Sequence, residues 1–232
     1  MIRLRQFKLL SMTRRSSGTG IRNVTEEHQI LTLGNGKLSW RMIECSIPHY
    51  PLSDGICING VLYYRAAVIG FAGKFTIVCF DIRSEKFKLI EKEENTVVGA
   101  VLVNYKGKLA TLRSDNQMSV FSLGSKSFDL CVLEDAEKHE WSTHTYVLTP
   151  SLTDILPLNG IDIKGVTSTG EIVLSPNPGY PPGPFYLVYY NLERNTFIEV
   201  EIQGIDLSDH HKVHPFIDHV EDVKLGGVFK TA

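Results

Sequence analysis

The chain has 232 residues, with 24 basic and 26 acidic side chains. The resulting net charge of −2 supplies no field for nucleic acid or an anionic membrane. No apolar run approaches the roughly 18 residues that cross a bilayer, so a single all-β domain with a substantial core fits the length.

In chain order, Gln6–Met12 reads as a strand and Thr13–Glu27 as a polar, Gly/Ser-rich connection. Residues 1–25 hold no acid and six bases, a composition shared with mitochondrial presequences; the strand pattern is the preferred reading. Ile30–Leu33 and Leu38–Ile43 form a hairpin across Gly34-Asn35-Gly36, and Ser46–Asp54, with Pro48 and Pro51, is a loop. Ile56–Tyr64 turns at Asn59-Gly60, the strongest short-range hairpin signal. Its relatives are Val101–Leu112, turning near Gly107, and Ile163–Leu174, turning near Gly170. The stretch Ser175–Pro184 is a proline-rich connection, read in preference to a polyproline ligand because Phe185 resumes a strand. From Gly204 the chain is polar and His-rich, and it ends on a strand-like Val220–Phe229.

A second hairpin type recurs in Ile30–Cys45, Ile77–Ile90, Asp129–Leu148 and Leu187–Ile202. In each, an aromatic follows a turn-forming residue by six positions: Gly34 to Trp40, Asp81 to Phe87, Asp135 to Trp141, Asn191 to Phe197. The aromatics are 47, 54 and 56 residues apart. A hairpin recurring at about fifty residues is a signature of kelch-type propeller blades. Two hairpins in succession make one four-stranded antiparallel blade. The fold class is therefore all-β and kelch-like, related to the β-propeller. About four blades are expected, near 2–47, 52–95, 96–150 and 161–205, with a tail at 206–232 and an incompletely closed ring. One domain spans 1–232. Trp40, Phe87, Trp141 and Phe197 are expected to be buried plugs between blades rather than a stacking platform.

Chemistry is sparse. His139 and His144 resemble the zincin H-E-x-x-H but lie five apart on a predicted strand, where they point to opposite faces. His210, His211, His214 and His219, with Asp206, Asp209 and Asp218, could bind a metal, but a solvated loop is the preferred reading. Gly70-Phe71-Ala72-Gly73-Lys74 is two residues short of a phosphate loop and has Phe75 where a hydroxyl is needed. Asn23-Val24-Thr25 matches a glycosylation sequon without any sign of secretion. Cys45, Cys57, Cys79 and Cys131 include no C-x-x-C pair and read as buried reduced thiols of an intracellular protein, in cytoplasm or nucleus. No catalytic, cofactor-binding or metal residue is nominated, no cofactor is expected, and the substrate-binding residues are unassigned.

The strings DGICINGVLYYRA (Asp54–Ala66), IVCFDIRSEKFKLI (Ile77–Ile90), VNYKGKLATL (Val103–Leu112), VLEDAEKHEWSTHTYVL (Val132–Leu148), GVTSTGEIVLSP (Gly165–Pro176) and FYLVYYNLERNTFIEVEI (Phe185–Ile202) carry a resemblance. With the closing DHVEDVKL (Asp218–Leu225), they are similar to the plant F-box-associated domain of type 3. The resemblance runs from about Gln6 to Leu225. It implies a propeller-related, non-enzymatic, protein-binding domain from the substrate-recognition subunit of a Skp–cullin–F-box ubiquitin ligase. Its partner would be a target protein of unknown identity. A Skp-type adaptor and a cullin would join only through an F-box upstream, and no leucine-rich helical segment precedes Gln6. A propeller enzyme, a carbohydrate-binding lectin and a truncated fragment without function are the rival readings.

Overall fold

Apolar runs interrupted by Asn-Gly and Asp-x-x-x turns call for antiparallel hairpins, and hairpins build the whole fold. The computed structural model describes residues 7–16, 24–33, 38–69, 74–91, 97, 99–115, 120–121, 126–150, 161–176, 185–204, 213 and 215–217. Every element among them is a strand. The strands make four antiparallel sheets that follow one another along the chain, and among the described residues they do not close a ring.

The first sheet holds β1 (Phe7–Ser16), β2 (Val24–Leu33) and β3 (Trp40–Ile43), in that spatial order. The second holds β4 (His49–Pro51), β5 (Ile56–Ile58), β6 (Val61–Val68), β7 (Phe75–Asp81) and β8 (Lys86–Ile90). Its order is β4-β6-β7-β8, with β5 also on β6. After β9 (Val101–Tyr105) and β10 (Lys108–Ser114) comes the two-residue β11 (Val120–Phe121). Then β12 (Ser127–Asp135) and β13 (Glu140–Val147) complete a third sheet in the order β9-β10-β12-β13. The fourth comprises β14 (Ile161–Val166), β15 (Glu171–Pro176), β16 (Phe185–Asn191) and β17 (Thr196–Ile202). There β11 pairs with β14, so the chain of the third unit also contributes to the fourth sheet.

The two hairpin types have distinct local causes. In the inner hairpins, Asn59 and Gly60 (φ 51° and 83°) and Lys106 and Gly107 (φ 51° and 84°) both take positive φ. That is the type I′ geometry whose twist matches the flanking strands. In the outer hairpins a side-chain oxygen caps the turn. Asp81 Oδ1 accepts from the Ser84 amide at 2.6 Å, Asp135 Oδ1 from Glu137 and Lys138 at 2.8 and 3.0 Å, and Asn191 Oδ1 from Glu193 and Arg194 at 3.1 and 2.9 Å. Four positions on, Glu85, His139 and Asn195 are left-handed (φ 57°, 57° and 52°). The aromatic comes two residues later on the returning strand. The six-residue spacing is thus the length of one capped turn plus the first step of a strand.

The core lies between successive sheets. Tyr64, Ala66 and Val78 pack with Met12 between the first two sheets. Ile58, Ile77, Ile90, Leu109 and Leu133 fill the space between the second and third. The largest cluster, including Leu112, Phe128, Leu130, Ile161, Ile172, Leu174 and Tyr190, joins the third to the fourth. Strands wedged between sheets are apolar on both faces, as in β7, where Thr76, Ile77 and Val78 are buried in succession. Burying one such aliphatic side chain contributes about 1.5–3 kcal/mol. Polar ties link neighbouring turns as well: Asn59 Nδ2 donates to Gly107 O at 3.1 Å, and Lys106 Nζ to Glu193 at 3.2 Å.

Several sequence expectations need correction. Thr13–Glu27 is not all connection: β1 and β2 pair in register from Phe7 with Leu33 to Ser16 with Val24. This region has no apolar alternation to announce it, and backbone pairing alone extends the ribbon. Ser46–Asp54 contains a strand, β4, because it lies at the sheet edge, where Pro51 breaks no ladder. Of the four cysteines only Cys131 is buried; Cys45 and Cys79 are half-buried and Cys57 is exposed. The Gly34-Asn35-Gly36 turn, residues 177–184, the tail histidines and Val220–Phe229 lie outside the described residues.

Candidate functional site

The first and second sheets meet at a cavity built from β2, β3 and the crossing to β4. Lys8, Met12 and His28 face the second sheet: Lys8 bonds Glu85, Met12 and His28 are paired opposite each other, and Met12 joins the Tyr64–Val78 cluster. The chain leaves β3 at Ile43, opposite His28. It crosses through Glu44–Pro48 and enters the second sheet at His49, which pairs with Val68. Pro48 lacks a backbone donor, yet its carbonyl accepts from the Ile69 amide at 2.8 Å and ties the crossing down. The result is a cavity of about 530 Å³ lined by His28, Ile43, Cys45, Ser46, Ile47 and Ile69, among others.

His28 and His49 are both buried, 5% and 1% exposed. Their rings lie 5.4 Å apart between centroids. Phe87 stands edge-on to His28 at 5.1 Å, and Tyr64 lies 5.6 Å from His49. His49 Nε2 is 2.6 Å from the Tyr64 hydroxyl and Nδ1 is 2.6 Å from Ile47 O. The Cys45 thiol donates to Ile47 O at 3.3 Å and sits 3.8 Å from His49 Nδ1. His28 Nε2 is buried without a hydrogen-bond partner, an arrangement that costs about 1–3 kcal/mol when nothing binds there. Burial first, and then the neighbouring His49, push the His28 imidazole below its ordinary pKa and favour the neutral ring. Among the described residues, His28, Cys45 and His49 are the group of three potential ligands close enough to share one ion.

On the same seam, Lys8 Nζ donates to Glu85 at 2.6 Å and to Ile82 O at 2.8 Å, and Arg41 also bonds Glu85. The Arg41 guanidinium, with Lys8 behind it, holds the Glu85 carboxyl below its ordinary range.

The repeated aromatics behave unequally. Phe87 reaches the first sheet through His28, Trp141 packs on the second-sheet cluster, and Phe197 on the cluster shared with the third. Each therefore seats its own sheet on the preceding one, but as a half-buried side chain on an outer strand rather than a fully buried plug. Trp40 is 49% exposed. It shares a row with Leu9 and Leu31 on the face turned away from the second sheet. Phe7, Leu9 and Met42 are exposed on that face too, while Leu33, opposite Phe7, is buried, so the first sheet presents an apolar strip that is exposed over most of its length.

The other sequence candidates do not converge. His139 sits in a turn, where its Nδ1 accepts from the Glu91 amide at 3.2 Å, while His144 is exposed on β13. Of the Gly70–Lys74 stretch only Lys74 is among the described residues. The His28–Cys45–His49 cluster had one faint sequence signal, Cys45-x-x-x-His49. Nothing in the sequence placed His28 beside it, because strand periodicity does not reveal which sheet covers a face.

No helix among the described residues is long and apolar enough to cross a membrane. Residues 4–220 match the family model of the F-box associated beta propeller domain. The F-box protein DOR of Arabidopsis thaliana is 50% identical over 221 residues, 95% of this chain and 54% of that protein. F-box only protein 12 from the same plant is 40% identical over 225 residues, again 95% of this chain and 54% of the relative. The chain thus spans about half the length of the curated relatives it matches. The all-β sheets, the recurring outer hairpins and the match along nearly the whole chain agree: this chain belongs to the F-box associated β-propeller family.

Proposed function

We propose that this chain is a non-enzymatic protein-binding module that captures the target of a Skp–cullin–F-box ubiquitin ligase in the cytoplasm or nucleus. The observation that supports this is the family match across residues 4–220; relatives that are themselves named F-box proteins strengthen it. The adaptor contact expected of such ligases belongs to a helical F-box, and every element among the described residues is a strand. On this reading the β domain holds the target, and the Skp-type adaptor and cullin join through an F-box on the same polypeptide. A chain supplied without one occupies the target and competes with ubiquitination.

The test compares the tagged chain with the same chain fused behind the F-box of a relative, both expressed in plant cells under proteasome inhibition. Adaptor and cullin are expected with the fusion alone, and one shared set of further proteins with both. Stoichiometric adaptor on the unfused chain would overturn the division of labour. The absence of any shared set would overturn target capture.

A further inference from the structure

The cluster at the seam of the first two sheets has a chemistry that protein capture does not use. One ligand atom from each of His28, Cys45 and His49 lies within 4.8 Å of the others. Two of the three side chains are almost fully buried. The Cys45 Sγ to His49 Nδ1 separation of 3.8 Å is close to the edge of a tetrahedral zinc site, about 3.6 Å for Zn–S and Zn–N bonds of about 2.3 and 2.05 Å. His28 Nε2 is buried and unpartnered at the cavity wall, which independently marks a missing ligand.

We propose that His28, Cys45 and His49 bind a divalent zinc-type ion that staples the first sheet to the second. The donor set selects the metal class. Two imidazoles and a thiolate suit a borderline ion such as Zn²⁺, and the three offer no oxygen donor of the kind calcium or magnesium requires. On binding, Cys45 gives its thiol proton to solvent and the sulfur becomes a thiolate ligand. His49 gives up its Nδ1 contact with Ile47 O as its ring proton moves from Nδ1 to Nε2, which frees the Nδ1 lone pair for the metal. Its Nε2–H then donates to the Tyr64 hydroxyl, already 2.6 Å away, an outer contact of the kind that fixes ring orientation in metal sites. The fourth position faces the cavity and takes water. Because the ligands come from β2, the crossing and β4, occupancy couples two sheets otherwise joined by side-chain packing and the Glu85 contacts.

The experiment titrates the reduced, purified chain with Co²⁺ and then with Zn²⁺. Expected are one equivalent bound, tetrahedral cobalt bands with a thiolate-to-cobalt charge-transfer band, their loss on adding Zn²⁺, and a zinc-dependent rise in melting temperature. Cys45→Ser should abolish the charge-transfer band, and both it and His28→Asn should weaken Zn²⁺ binding more than tenfold. Cys57→Ser, at an exposed thiol on β5, should change nothing. Should Cys45→Ser fail to fold, alkylation of the unmodified chain decides: Zn²⁺ protects Cys45 and leaves Cys57 reactive. The absence of a charge-transfer band overturns the proposal. So does binding that survives Cys45→Ser, or that disappears in a His210→Ala/His211→Ala variant of the tail, and so does equal alkylation of Cys45 with and without zinc.

Discussion

The first and fourth sheets end the row of sheets, and they end it differently. On the fourth, Val173, Phe185 and Leu187 face away from the third sheet, and Val213 and Ile217 of the following segment cover them. The fit is close: a Cβ on Gly165 would stand 2.8 Å from Ile217 Cδ1. On the first, Phe7, Leu9, Trp40 and Met42 face away from the second sheet and remain 39–57% exposed. The same amphipathic strand chemistry therefore has two outcomes, decided by whether a neighbour supplies the other half of the interface. Trp40 occupies the position from which Phe87, Trp141 and Phe197 each reach back to a preceding sheet, and among the described residues no preceding sheet meets it.

The sharpest way to break this comparison is to remove equivalent apolar mass at both ends. Leu187→Ala should destabilise the chain by about 2–5 kcal/mol, since a buried leucine leaves a cavity, whereas Trp40→Ala should cost less than about 1 kcal/mol. Urea unfolding of both variants measures this, and equal losses would show that the first sheet's face is covered in solution.

Gly165→Ala should cost about 1–3 kcal/mol, because the added methyl has to displace Ile217 and because Gly165 has φ 156°, which an L side chain rarely adopts. Limited proteolysis should then cut faster near 213–217 than in the parent chain. An unchanged cleavage rate would mean that this segment does not hold the fourth sheet's outer face.

On the first sheet, replacing both Trp40 and Met42 with Ser should leave the melting temperature almost unchanged but reduce self-association, because bare apolar patches drive it. Sedimentation velocity across a concentration series would record the difference. Identical association of the variant and the parent would remove the exposed strip as its cause.

The smallest effect is electrostatic and concerns the first sheet's attached face. Glu85 has its carboxyl pKa lowered in the folded chain by Arg41 and Lys8. A lowered carboxyl pKa contributes stability that is fully present above the ordinary value, about 4.3, and is lost as pH falls through the folded value. Acidification below that point should therefore weaken the parent chain more than Glu85→Gln. Parallel acid-unfolding curves for the two would dismiss the clamp.

Much of this was legible in the residues. The capped turns at Asp81, Asp135 and Asn191 and the Asn59-Gly60 and Lys106-Gly107 turns are local chemistry, so hairpins and their order could be read directly. The repeat of the aromatic six positions on gave the sheet count, and the strings between Asp54 and Leu225 carried the family resemblance. What failed to show was pairing that no apolar pattern marks, together with long-range packing: the β1–β2 ribbon beyond Met12 is a local hairpin without apolar alternation, the edge strand at Pro51 depends on β6 beside it, and the meeting of His28 with Cys45 and His49 depends on the packing of two sheets.

The sequence by itself determined the all-β class and the two hairpin types, because turns are set by φ preferences and side-chain caps within a few residues; the family resemblance rested on whole strings between Asp54 and Leu225. The tertiary structure alone decided which apolar faces are covered. Period-two alternation assigns a side chain to a face, but burial comes from whatever packs against that face. Hence Leu187 is buried and Trp40 is bare, and a histidine of β2, a cysteine of the crossing and a histidine of β4 come together at the seam of two sheets.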